Sequence, residues 1–224
     1  LLRDGDLIVL DATKGEMVTA PSDMMLAEAT ASSQRWRESQ EAAAQPSKES
    51  DHQTRDGTAI RMFGSCGSPG EADLVRTFGM EGIGVYRTEL MFLADGEDPT
   101  EDALIATYRD VIAAQQGNPV SFRLLDVAAA TLEVKAPQPE RNPAMGRRGV
   151  RGLLARKKVL RMQLRAILRA AADVNNVAVL VPFVTTLSDM QRVKAALVEE
   201  RVGLMKAKIA CAADVKIAPI IEVP

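Results

Sequence analysis

The chain has 224 residues, 46% of them hydrophobic and 26% charged, with a formal net charge of -2. That length accommodates one large domain or one and a half smaller ones, and the near-balanced charge argues against a nucleic-acid or membrane-surface partner. No apolar run reaches membrane-spanning length, residues 1–6 lack the basic-then-apolar plan of a signal peptide, and Cys66 and Cys211 lie far apart without metal-ligand spacing. Buried thiols in a reducing compartment follow, so a cytoplasmic location is expected.

In chain order, residues 1 to about 22 read as a small β piece. A turn at 4–6 leads to a short apolar strand at 7–10, then a turn at 13–15 and a strand at 16–19, closed by Pro21-Ser22. Two short strands bury no core of their own, which predicts an edge or the tail of a domain lying mainly upstream. The start at Leu1 rather than Met fits an incomplete N-terminus. From residue 23 to about 45, Met, Ala, Glu, Gln and Arg dominate, with Ser22 placed to cap, and one long connecting helix is expected to end before Pro46. Residues 46–57 are polar and end in glycine, as a linker does. They contain the single histidine, His52, whose polar neighbours mark a surface residue rather than a catalytic one.

From residue 58 a regular alternation begins. Strands are predicted at 58–64, 83–87, 120–125, 177–184 and 217–223, with helices at 70–78, 100–116, 158–173 and 187–205. Alternating strand and helix means parallel strands with crossover helices, an α/β architecture. Five strands could close a doubly wound sheet, whereas an eight-stranded barrel would lack three βα units.

The organising stretch is Gly82-Ile83-Gly84-Val85-Tyr86-Arg87-Thr88-Glu89. It is an uncharged β-branched run ending in a charged triplet, so Arg87 falls where α/β folds present ligands. The other strand ends carry Cys66, then Arg123 with Asp126, then 183–186, then Glu222. A loop at 131–145 with three prolines leads into a second cluster, Arg147, Arg148 and Arg151, placed just before a helix. Guanidinium forks bind phosphate and carboxylate and stay charged when desolvated, so converging arginines imply a small, strongly anionic substrate. Glu222 facing that anion would be repelled unless a cation intervened, and a divalent metal, Mg2+ first, resolves the conflict. The plain alternative is a set of solvated strand and helix ends.

Five motifs carry a resemblance: the stretch 82–90, Arg123-Leu-Leu-Asp126, Asn142-Pro143-x-x-Gly146-x-Arg148-x-x-Arg151, the helix at 162–170, and Ile221-Glu222-Val223-Pro224. In this order and spacing they resemble phosphoenolpyruvate–protein phosphotransferase, enzyme I of the bacterial sugar phosphotransferase system. Tyr86 before Arg87 favours that family over the related pyruvate phosphate dikinases and phosphoenolpyruvate synthases. The resemblance implies a swivelling phosphohistidine domain, a linker helix and a phosphoenolpyruvate-binding (β/α)8 TIM-type barrel. Residues 1–22 would be the tail of the first, 23–57 the linker, and 58–224 the first five βα units of the barrel. By the same resemblance Arg87, Arg123 and Arg148 bind the substrate's phosphate and carboxylate, Glu222 is a Mg2+ ligand, and the phosphoryl group passes from phosphoenolpyruvate to a histidine and on to a histidine-containing phosphocarrier protein in sugar uptake. A homodimer is implied for the complete protein.

The chain also departs from the family pattern. The Gly-Gly-x-Thr-Ser-His motif of the accepting histidine does not occur, so no catalytic residue is assigned, and neither cysteine matches the family's general acid. Where the family has Gly-Gly-Asp-Lys, this chain has Ala128-Ala129-Ala130-Thr131. The expectation is a phosphoenolpyruvate-binding part that is inactive alone. A degenerate or truncated homologue, acting as a binding or scaffold protein without phosphotransfer, is the alternative, and the two open edges of a five-stranded piece would favour association.

Overall fold

The computed structural model describes residues 2–43, 52–93, 98–127, 142 and 145–223. The chain divides into two compact units, Leu1–Ser47 and Lys48–Pro224.

In the first unit, β1 (Ile8–Asp11) and β2 (Glu16–Thr19) form an antiparallel hairpin with Ile8 opposite Thr19 and Asp11 opposite Glu16. Asp11 makes its turn: Oδ1 accepts from the Thr13 and Lys14 amides at 3.0 and 3.2 Å, and Oδ2 pairs with Lys14 Nζ at 3.0 Å. The helix α1 (Asp23–Ala43) follows, and Ser22 Oγ accepts from the Met25 amide at 3.3 Å, the capping role its position predicts.

The second unit is built on five parallel strands: β3 (Gly64–Cys66), β4 (Ile83–Arg87), β5 (Val120–Arg123), β6 (Val177–Val181) and β7 (Lys216–Pro219). Between them run α2 (Pro69–Thr77), α3 (Glu89–Leu93), α4 (Glu101–Ala114), α5 (Gly149–Ala155), α6 (Lys157–Ala170) and α7 (Leu187–Lys206). Spatial order equals chain order, β3-β4-β5-β6-β7. A doubly wound sheet reverses its order at a switch point, and this one never does. Unbroken winding in one direction is the path of a (β/α)8 barrel, and the second unit is a five-unit part of one.

The register follows from the core. β6 alternates buried Val177, Val179 and Val181 with partly exposed residues, and β5 does the same with Val120 and Phe122. On the helix side Tyr86 meets Phe122 edge-on at 5.5 Å, and Phe122 lies 4.6 Å from the Tyr108 ring of α4. The stripe of α6 (Leu160, Leu164, Ile167, Leu168) is wholly buried in the same layer. Gly82 enters β4 at φ 146°, and a Cβ there would lie 2.4 Å from the Pro119 carbonyl oxygen, which accepts from the Ile83 amide at 2.8 Å. Only glycine fits that approach.

Three sequence expectations need correction. The first barrel strand is Gly64–Cys66, not 58–64: Ile60, Met62 and Phe63 are exposed, and ahead of it the described residues hold an isolated bridge, Gln53 to Ala59. An apolar alternation that finds no partner sheet does not become a strand. The last strand runs to Pro219, with the Ile220 amide still donating to the Val181 carbonyl at 2.8 Å, so Glu222 lies beyond the strand rather than at its end. Arg151 sits inside α5 rather than before a helix, and Arg148 is the residue that opens it.

Candidate functional site

The C-terminal ends of β4 and β5 place Arg87 and Arg123 side by side as register partners. Behind them a buried polar network fixes the backbone. Thr88 Oγ1 donates to the Arg123 carbonyl at 3.0 Å, and Gln163 Nε2 donates to Thr88 Oγ1 at 2.9 Å. Gln163 Oε1 in turn accepts from the Leu125 amide at 3.0 Å, and its Nε2 lies 3.3 Å from the Tyr108 hydroxyl. Both Gln163 and Thr88 are fully buried. One carboxamide on α6 thereby ties the residue after Arg87 to the segment flanking Arg123. Sequence reasoning missed it, although a glutamine in the middle of an apolar helix stripe was a visible signal, because buried polar groups require partners.

The charged groups form a chain across the mouth. Arg123 Nη2 bonds Glu89 Oε1 at 2.9 Å, and the same oxygen accepts from the Asp126 amide at 3.1 Å. Asp126, its side chain only 4% exposed, receives Arg148 in a two-pronged pair: Nε to Oδ1 at 3.0 Å and Nη2 to Oδ2 at 2.9 Å. That hydrogen-bonded carboxylate holds the Arg148 guanidinium more firmly protonated than usual, against the desolvation that opposes it, with the charges of Asp126, Glu222 and Glu89 assisting. A cation at the start of α5 is disfavoured by the helix dipole, and Asp126 compensates for it. The Arg148 guanidinium also lies 4.3 Å above the Phe183 ring, and the Phe183 amide donates to Glu222 Oε1 at 3.0 Å. Arg151 points elsewhere, with Nη1 donating to the Met145 carbonyl at 3.0 Å.

Of the residues singled out in the sequence, Arg123 and Arg148 thus meet through Asp126, and Glu222 joins them through Phe183. Arg87 is exposed and forms no ion pair with a described residue. At nearby Cys66 burial pushes the thiol up to about 11, Glu71 adds to the rise and Arg87 pulls only partly back, which disfavours the thiolate. The substituted loop at 128–131 lies outside the described residues. Among the described residues no three His, Cys, Asp or Glu side chains converge as a metal cage. One oxygen of Glu222 is taken by an amide and the other accepts no hydrogen bond from a described residue. That suits a metal such as Mg2+, which is held by one or two carboxylates together with ligand oxygens.

Residues 41–224 match the family described as PEP-utilising enzyme, PEP-binding domain. Among curated proteins the chain is 31% identical over all of its 224 residues to a phosphoenolpyruvate-protein phosphotransferase of Geobacillus stearothermophilus, covering 38% of that protein. Proteins of the same name from Latilactobacillus sakei and Staphylococcus carnosus (strain TM300) are 30% and 32% identical over 100% and 98% of this chain, which covers 39% and 38% of their lengths. The chain therefore spans about two fifths of the relatives it matches. With the parallel strands in barrel order and that match over most of its length, the chain belongs to the PEP-utilising enzymes, as their PEP-binding domain.

Proposed function

We propose that the second unit binds phosphoenolpyruvate at the mouth formed by Arg87, Arg123, Arg148 and Glu222, as part of a phosphotransferase that passes the phosphoryl group to a histidine and then to a phosphocarrier protein in sugar uptake. The observation that carries the reading is the uneven pairing of the arginines. Arg123 and Arg148 are held by Glu89 and Asp126, while Arg87 stands beside Arg123 without a carboxylate among the described residues. A charged group placed but not neutralised at strand ends is a ligand contact in waiting.

In this reading Arg87 binds the ligand's anionic oxygens directly. Arg123 and Arg148, their planes set by carboxylates, present their remaining N–H groups and offset the charge that gathers on the transferring group. Asp126 and Glu89 orient them. Glu222 would hold Mg2+, which when bound neutralises phosphate and carboxylate charge. Dimerisation and a cytoplasmic location complete the proposal.

The test is calorimetric titration of phosphoenolpyruvate into the chain with Mg2+ present. Saturable binding weakened at least about thirtyfold in Arg87→Ala, the value of a charge-assisted contact of about 2 kcal/mol, is the expected result. A folded chain giving no heat, or an Arg87→Ala variant that binds as well as the parent, would overturn the site.

A further inference from the structure

Phe183 stands between the two halves of the mouth. Its backbone lies at φ 56°, a region that bulky residues avoid and that persists only where the surroundings over-determine it. The surroundings here are specific. Gly149, itself at φ 52°, faces it so closely that a Cβ would lie 2.9 Å from the Phe183 Cβ and 3.1 Å from the Pro182 carbonyl oxygen. The Val150 amide donates to that same carbonyl at 3.0 Å, so the turn after β6 and the start of α5 are keyed together.

The angle φ is the rotation that relates a residue's amide N–H to its side chain. At Phe183 this rotation sends the amide to Glu222 Oε1 at 3.0 Å and the ring to a place 4.3 Å below the Arg148 guanidinium. Asp126 grips the Nε and Nη2 edge of that guanidinium, and the ring supports its face. Edge and face together fix the plane, leaving the Nη1 end clear of described partners. An extended φ would keep one of the two contacts and lose the other.

We propose that Phe183 is a positioning residue that couples Arg148, through its ring, to Glu222, through its amide, and so sets the orientation of the cation and of the carboxylate together. The inference rests on the anion-site reading above, and two measurements separate its failure from the failure of that reading.

The first is the Arg148 Nε–H resonance of the ligand-free chain, compared among the parent, Phe183→Tyr, Phe183→Leu and Phe183→Gly. Stacking over a ring gives that proton an upfield ring-current shift, which Tyr keeps and Leu and Gly lose. The glycine variant retains the amide and is at ease at positive φ, so it folds even where leucine does not. The second is phosphoenolpyruvate affinity of the same four chains. Loss of the aromatic face is expected to weaken binding about fivefold, with Phe183→Tyr restoring it and thermal midpoints unchanged between Tyr and Leu. An Arg148 resonance that ignores the ring, or a resonance that moves while affinity stays constant, overturns the proposal. A parent chain that binds no phosphoenolpyruvate overturns the anion-site reading instead, and the resonance still decides whether Phe183 holds Arg148.

Discussion

Two arginine clusters in the second unit share their chemistry and differ in consequence. On the outer helices, Arg161, Arg165 and Arg169 of α6 face Glu101 of α4 and Glu199 and Glu200 of α7. Arg165 meets Glu101 at 2.6 Å and Glu200 at 3.3 Å, Arg169 meets Glu101 at 2.7 Å, and Arg161 pairs with Glu200 at 2.8 Å and with Glu199. Every guanidinium there has a carboxylate, and the set staples three helices. At the mouth Arg123 and Arg148 are paired, Arg87 has no carboxylate among the described residues, and Glu222 takes an amide rather than a cation. The number of arginines is the same in both places. What separates the two clusters is the charge left over after internal pairing among the described residues.

The sharpest break of the comparison is Arg148→Met. It leaves Asp126, whose side chain is 4% exposed, with only Arg123 at 3.9 Å. Stranding a buried carboxylate costs about 3 kcal/mol, read as a lower urea midpoint at neutral pH. Asp126→Asn in the same background is expected to recover part of the loss, because the stranded charge is gone. If Arg148→Met unfolds at the parent's midpoint, the mouth pair is no more structural than a surface pair.

Gln163 comes next. Gln163→Leu keeps the volume and removes the groups that serve the Leu125 amide and the Thr88 hydroxyl, both buried. A cost of about 2 kcal/mol is expected, together with faster hydrogen exchange at the Leu125 amide. Unchanged exchange at Leu125 would mean that the carboxamide does not hold the β5 end.

How far the sequence carries depends on which physical signal a feature leaves in it. The alternation of elements from β4 to α7 was legible because burial imposes period two on strands and a stripe on helices, as in Val177, Val179 and Val181 or Leu160, Leu164 and Ile167. Residues 58–63 misled for the same reason: alternating apolar residues look like a strand whether or not a neighbouring strand exists to pair them. The short α3 and α5 were missed because five and seven residues give too few turns to show a period. At the mouth, Arg87, Arg123, Arg148 and Glu222 were singled out in the sequence through their motifs, and only Arg87 and Arg123 stand at strand ends. Their pairing was not legible. That Asp126 holds Arg148, that Glu89 holds Arg123, and that Phe183 at positive φ links Arg148 to Glu222 are facts of contacts more than 20 residues apart, which no local pattern encodes.

The outer cluster gives a pH-dependent test of smaller size. Burial raises the pKa of the Glu101 carboxyl, and hydrogen bonds from Arg165 and Arg169 outweigh it, so the group ends below its ordinary value of 4.5. A depressed folded pKa means that the stabilisation is complete above the unfolded value and is lost as pH falls through the folded one. The parent should therefore lose stability more steeply than Glu101→Gln as pH falls below the ordinary carboxylate range, and the two should converge in acid. Parallel acid profiles would show that Glu101 is not coupled to its arginines.

The smallest effect is expected at Arg161→Ala. Arg161 is 44% exposed, Glu199 is 57% exposed, and Glu200 keeps Arg165 at 3.3 Å when Arg161 is removed. The exposed Arg161–Glu199 pair loses to entropy and solvent most of what its charges gain, and Glu200, whose side chain is 10% exposed, is not stranded because Arg165 still reaches it. The urea midpoint should stay within measurement error of the parent, and phosphoenolpyruvate affinity should be unchanged at low and high salt. The value of this variant is as the control for Arg148→Met. Each removes a guanidinium bonded to a carboxylate, so an equal response from the two would dissolve the distinction between the helix-face arginines and those of the mouth. A silent Arg161 beside a costly Arg148 would place the difference in the guanidinium that remains, Arg165 at 3.3 Å from Glu200 against Arg123 at 3.9 Å from Asp126.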